Sequence, residues 1–294
     1  MTRSRPPHRI LTPLGLAVAL SLSGDLTLYA VLVTQMEVVG LTLADVGVML
    51  SVNRLVRIPG NPLIGLLLDR WGRRRLFILG MVIGVLTTAG YGLSYGFWPF
   101  LLARMAWGLG WTCINVGGMA MALDISTAAD RGRVTGIYNT WMWGGFALAP
   151  LLGGFLVDRI GFRPAMGVAA ALTAVGLLAV LLALPETARL RSAADRPPAR
   201  RTVRQRLAPL RRILTRRWLR AHRRRAATSL LLLITRFAGE GVAVSTISLL
   251  LQRRFGPTIA LDGMVLGVAT VGGALLATRS LLAGAVGPLA GRLS

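Results

Sequence analysis

The residues of this chain that could do chemistry are acids and arginines set inside long apolar runs. Asp25 follows Ser23 and Gly24 in one such run, and Glu240 follows Ala238 and Gly239 in another. A carboxylate removed from water is costly to keep charged, so it either takes up a proton or finds a cation. Arg54, Arg57 and Arg104 stand at depths from which each could reach Asp25. Two uses fit equally: a permanent structural salt bridge, or a carboxyl that binds and releases a proton. In the second case a proton arriving on Asp25 would break a pair with Arg104 and shift a conformational equilibrium. Arg236 and Glu240 are four residues apart and share one helical face, which serves mutual neutralisation or, by the match to Asp25, a second coupling site. Asn115, Asn139 and Trp141, with Trp143 beside them, are candidates to line a cavity for a small molecule, although tryptophans equally serve packing and interface anchoring. His8 and His222 form no metal-ligand spacing, and Cys113 stands alone as a small packing residue. No phosphate-cradling glycine loop is present. No catalytic residues, metal or cofactor are expected.

These residues must be positioned by helices in a bilayer. Of the 294 residues 54% are hydrophobic and 15% charged, too apolar for a water-soluble domain of this length. Segments at 11–33, 44–66, 77–95, 97–122, 134–156, 164–185, 227–250 and 263–290 each reach the ~20 residues a spanning helix needs. Strand alternation is absent, which argues against a barrel. Arg3, Arg5 and Arg9 before the first run imitate a secretory signal, but the run is long and contains Asp25, so it reads as the first span. The arginines of alternate loops place the N-terminus in the cytoplasm. Residues 188–226 hold fifteen arginines and one acid, Asp195, which is +14 of the net +23. A helical stripe of Val203, Leu207, Leu210, Leu214 and Trp218 within them fits a basic segment on anionic lipid head groups over residues 200–226, or a solvated charge run. No aromatic stacking platform accompanies it, so nucleic acid is not expected as a partner.

The order of segments divides the chain into 1–187, a first set of six helices; 188–226, a basic central loop; and 227–294, the start of a second set. Pro62 and Gly65 in the second span are echoed by Pro288 and Gly291 in the eighth, which supports duplication. Between the second and third spans lies Gly65-Leu-Leu-Leu-Asp69-Arg70-Trp-Gly72-Arg73-Arg74-Arg75. Gly65 allows close helix approach, Gly72 a tight turn, and Asp69 at a helix end can hold an arginine or face the N-terminus of a helix in the other half. Such contacts would latch two halves together. Positive-inside anchoring accounts for Arg74 and Arg75 but not for the acid or the glycines.

This run resembles the signature loop of the major facilitator superfamily, with every signature position filled. Arg104-x-x-x-Gly108-x-Gly110 resembles that family's helix-four signature. Gly145-x-x-x-Ala149-Pro150-x-x-Gly153-Gly154 resembles the helix-five signature associated with antiporters, with Ala149 where glycine is expected. Asp130-Arg131-Gly132-Arg133 and Pro185-Glu186-Thr187 are similar to further family features. The resemblance implies an all-α membrane protein, a superfamily-type bundle of eight spans comprising a complete N-terminal half and the first two helices of the second. It implies Asp124 as partner of Arg73 in the latch, and a role for Arg104 in proton transfer. It further implies a secondary carrier of a small molecule with protons, working by alternating access in a bacterial-type inner membrane. Efflux in exchange for protons leads; uptake with protons is the alternative. A third reading is a C-terminally truncated fragment or membrane interaction module that does not transport.

Overall fold

The computed structural model describes residues 8–127, 129–187, 244–261 and 264–293, with scattered positions between 227 and 239; the side chains of 8, 69, 244, 245, 261, 264 and 286–293 lie outside the description. Residues 191–244 form a compact unit of their own, in which helical positions recur at 227, 228, 230, 231, 234 and 235. The remainder of the chain forms the other unit, to which the elements named here belong apart from the first residue of α7.

Six helices follow one another: α1 (His8–Val31), α2 (Leu43–Trp71), α3 (Arg73–Leu93), α4 (Phe97–Asp124), α5 (Arg131–Ile160) and α6 (Phe162–Ala183). Their boundaries follow local chemistry. Thr42 and Asp45 form a reciprocal capping box that starts α2, the Asp45 amide reaching Thr42 Oγ1 at 3.2 Å and the Thr42 amide reaching Asp45 Oδ2 at 2.9 Å. A single residue, Gly72, separates α2 from α3, with φ +87° and ψ 159°. Such a backbone is essentially open to glycine alone.

The helices pack in a sequence of neighbours: α2 on α4, α4 on α3, α3 on α6, α6 on α1, and α1 on α5. Among the apolar helices α1 is the most enclosed, with 72% of its apolar window buried against 39–50% in the others. Five described helices are long and apolar enough to cross a membrane: α1, α3, α5, α6 and residues 268–285 of the last helix. α2 and α4 are as long, 29 and 28 residues, but α2 carries Arg54, Arg57, Pro59 and Pro62, which lower its hydropathy.

The last part of the chain departs from the expected helix over 263–290. α7 (Val244–Phe255) is followed by a two-stranded antiparallel hairpin, β1 (Thr258–Leu261) and β2 (Met264–Gly267), in the register Thr258 to Gly267 and Leu261 to Met264. α8 (Val268–Leu293) begins only after it. The hairpin is not among the expected elements, and its sequence signal is the Asp262-Gly263 dipeptide flanked by Thr, Ile and Val. α8 packs on α5. Gly154 lies against the Ala269 carbonyl and Gly273 against that of Pro150, so neither position has room for a side chain. On its other face α5 presents Gly145 to Ala19 and Gly153 to Thr27 of α1, and Thr27 Oγ1 donates to the Ala149 carbonyl at 3.2 Å.

Candidate functional site

Asp25 sits on the buried side of α1 behind Gly24, where the Thr88 side chain of α3 leaves no space for a Cβ. Arg104 of α4 is fully buried, and its Nη1 donates to Asp25 Oδ1 at 2.5 Å. Its Nε donates to the Met49 carbonyl of α2 at 3.0 Å, and its Cζ lies 5.3 Å and 5.9 Å from the ring centres of Tyr29 and Tyr91. One guanidinium therefore ties α4 to α1, α2 and α3. The position follows from the helix-four glycines: Gly108 lets α4 close on the Asn53 carbonyl of α2, and Gly110 lets it close on Gly80 of α3.

Asn53 is the residue that sequence reasoning missed. It is fully buried; its Nδ2 donates to Asp25 Oδ1 at 2.9 Å, while its Oδ1 accepts from Arg57 Nε at 3.1 Å and Nη2 at 2.7 Å. The amide thus stands between Arg57 and the carboxylate, and Arg57 Nη2 is 3.7 Å from Asp25 Oδ2. The signal available was its i, i+4 spacing to Arg57 on one helical face. Arg54 turns to Tyr29, its Cζ 5.2 Å from the ring centre, and the Tyr29 hydroxyl donates to the Leu50 carbonyl at 3.2 Å. Arg104 Nη2 and Thr88 Oγ1 are buried without a hydrogen-bond partner among the described residues.

A second cluster gathers at the junction of α2 and α3. Arg73 Nε donates to Asp124 Oδ2 at 3.1 Å and its Nη1 to the Leu68 carbonyl at 3.0 Å, so Arg73 reaches the acid expected for it. Thr187 Oγ1 donates to the same Asp124 oxygen at 3.3 Å. Glu186 accepts the backbone amides of Arg73 and Arg74 at 3.1 Å and 3.2 Å, an anion seated on the N-terminus of α3. Arg74 goes the other way: its Nε and Nη2 donate to the carbonyls of Leu184 and Leu181 at 2.6 Å and 2.9 Å. Those bonds close the end of α6, a structural task beyond the charge anchoring expected of Arg74. Arg70 is exposed, and the Asp69 side chain lies outside the described residues. Gly65 departs from its expected role: it has open space around it, and no described helix approaches within contact distance. At the head of α5, Asp130 accepts the Thr127 hydroxyl at 2.6 Å and its amide at 2.5 Å, bonds that hold this carboxyl below the usual carboxylate range.

A cavity of about 460 Å³ lies between α1, α5 and α6 and is lined almost wholly by apolar groups, with Ser23, Thr27, Thr140 and Trp141 among its walls. Of the expected cavity residues Trp141 lines it and also covers Gly15 of α1, whereas Asn115 and Asn139 are half-buried elsewhere. Gly145 and Gly153 of the helix-five signature border it as well. Arg236, Glu240 and the 200–226 segment lie outside the described residues, as do the side chains of the echo at 287–294.

The sequence profile of the Major Facilitator Superfamily matches residues 14–294. The chain is similar to Multidrug resistance protein 2 of Bacillus subtilis (strain 168), 26% identical over 162 residues, which is 53% of this chain and 40% of that protein. It is similar to Multidrug resistance protein MdtG of Dickeya zeae (strain Ech586), 35% identical over 120 residues, 40% of this chain and 29% of that protein. The match thus spans less than half the length of these relatives. In fold the chain resembles a bacterial homolog to the human lysosomal transporter Spinster in its inward-facing and occupied conformation, with a TM-score of 0.68 at 20% identity, over 95% of this chain and 60% of that one. It also resembles a D-xylose-proton symporter, TM-score 0.64 at 14% identity, over 93% and 65%. With a family profile covering nearly its whole length and several membrane-crossing helices, the chain is a multi-pass membrane protein that belongs to the Major Facilitator Superfamily.

Proposed function

We propose that this chain works in secondary active transport, exporting a small molecule in exchange for protons by alternating access, in a bacterial-type inner membrane with its N-terminus in the cytoplasm. The observation that carries this reading is Asp25, a buried carboxylate with Arg104 on one oxygen and Arg57 in a longer ion pair, 3.7 Å, with the other. A proton on Asp25 removes the charge that binds Arg104, and with it the contact joining α1 to α4. The equilibrium between two arrangements of the helices then depends on protonation, which is what coupling requires. The Arg73 and Asp124 pair, with Gly72 and the neighbouring Asp69 and Arg70, serves as the latch of one arrangement, and Glu240 is a second coupling candidate.

Export is supported by the helix-five residues Gly145, Pro150, Gly153 and Gly154 and by the multidrug resistance names of two relatives. Uptake with protons is the second reading, favoured by Ala149 standing where the antiporter signature has glycine. The test is reconstitution of the chain in lipid vesicles with an imposed pH gradient, reading proton flux on addition of organic anions, cations and neutral solutes. The wild type is expected to respond to at least one class, and Asp25→Asn to none while melting as a folded protein. Flux retained in Asp25→Asn would sink the coupling assignment.

A further inference from the structure

Asp25 can neutralise one guanidinium at contact distance, and Arg104 occupies that place. Arg57 lies 3.7 Å away, beyond hydrogen-bonding distance, and its side chain is 22% exposed. Two arginines share one carboxylate, which leaves a formal surplus of one positive charge among these three side chains. A surplus cation at membrane depth calls for an anion.

Apart from its long ion pair with Asp25, a carboxylate it shares with Arg104, Arg57 is held in place by uncharged groups. Asn53 Oδ1 takes its Nε and Nη2, and its Cζ lies 5.6 Å from the ring centre of Trp111. Both contacts fix the plane of the guanidinium while leaving its charge in place. Among the described residues, Nη1 of Arg57 has no hydrogen-bond acceptor. A fixed, partly open guanidinium with an unused donor edge is built for forked recognition of an oxyanion. We propose that Arg57 is the recognition residue of a substrate site on α2, and that its ligand is a small organic anion bearing a carboxylate or similarly forked oxyanion group. Asn53 is the positioning residue of this site: it keeps Arg57 from collapsing onto Asp25. The site depends on the carrier reading for its role in transport, while binding itself is measured without transport.

The test uses the full chain in lipid nanodiscs at neutral pH, titrated with benzoate, benzamide and benzylammonium, three probes of similar shape and different charge. Benzoate is expected to bind saturably and the other two at least tenfold more weakly. Arg57→Gln is expected to weaken benzoate at least tenfold, about 1.4 kcal/mol. Absence of saturable benzoate binding, equal binding of benzylammonium, or unchanged affinity in folded Arg57→Gln each overturns the assignment. Where Arg57→Gln does not fold, Arg57→Lys replaces it, with an expected loss of at least threefold; unchanged affinity again overturns the proposal. Arg57-dependent benzoate binding without proton flux leaves the anion site standing and the carrier reading fallen. Proton flux driven by benzylammonium and indifferent to Arg57→Gln does the reverse.

Discussion

Arg104 bears on Asp25, the Met49 carbonyl and two tyrosine rings at once, so its loss leaves the buried Asp25 carboxylate with only the Asn53 amide and the more distant Arg57. Breaking a buried ion pair from one side costs about 3–5 kcal/mol, whereas removing both charges together costs far less. Arg104→Gln is therefore expected to lower thermal stability in detergent strongly, and the double variant Asp25→Asn with Arg104→Gln to recover much of that loss. A double variant no more stable than Arg104→Gln would show that the pair is not what holds these helices. Asp25, Arg104 and Arg57 were legible in the sequence because an acid in an apolar segment must find a cation. Which of three arginines it takes depends on helix rotation, which a sequence does not state. Asn53 was not legible as a partner because a neutral amide carries no charge imbalance to reveal it; only its four-residue spacing to Arg57 hinted at the bond.

At the scale of elements, the junction of α2 and α3 shows what the glycine and the charged residues of this turn each do. Gly72 has a positive φ, and a Cβ placed there would lie 2.6 Å from Glu186 Oε2. Gly72→Ala is expected to cost about 1–3 kcal/mol from backbone strain alone, read as a lower melting temperature, with further loss as Glu186 leaves the α3 amides. A Gly72→Ala protein melting with the wild type would refute this account of the turn. The glycine, Arg73 and Asp124 could be anticipated from the loop pattern and the family resemblance. Glu186 as the cap of α3 could not, because 113 residues separate it from the amide it accepts. The hairpin before α8 went unread for another reason: four-residue strands are too short to show alternation against an apolar background.

At the scale of the molecule, α5 sits between two helices of one unit, holding α1 through Gly145 and Gly153 and α8 through Pro150 and Gly154. The seam with α8 is closed at one end by Asp158, whose Oδ2 accepts the Thr270 amide at 2.7 Å and hydroxyl at 2.6 Å while Gly267 leaves room for the carboxylate. Asp158 is a helix cap supplied by a different helix. Asp158→Ala is expected to cost about 1 kcal/mol, as lost caps do, and to speed proteolysis within residues 256–268 relative to the rest of the chain. Unchanged cleavage there would show that the hairpin is held by other means. The seam also sets an order of assembly. α5 is synthesised more than a hundred residues before α8, so the backbone at Pro150 and Gly154 lacks its α8 neighbour until that helix is made. During that interval α5 packs mainly on α1, with lesser contacts to α6 and α4, and the last helix finds its berth on a partner made long before it.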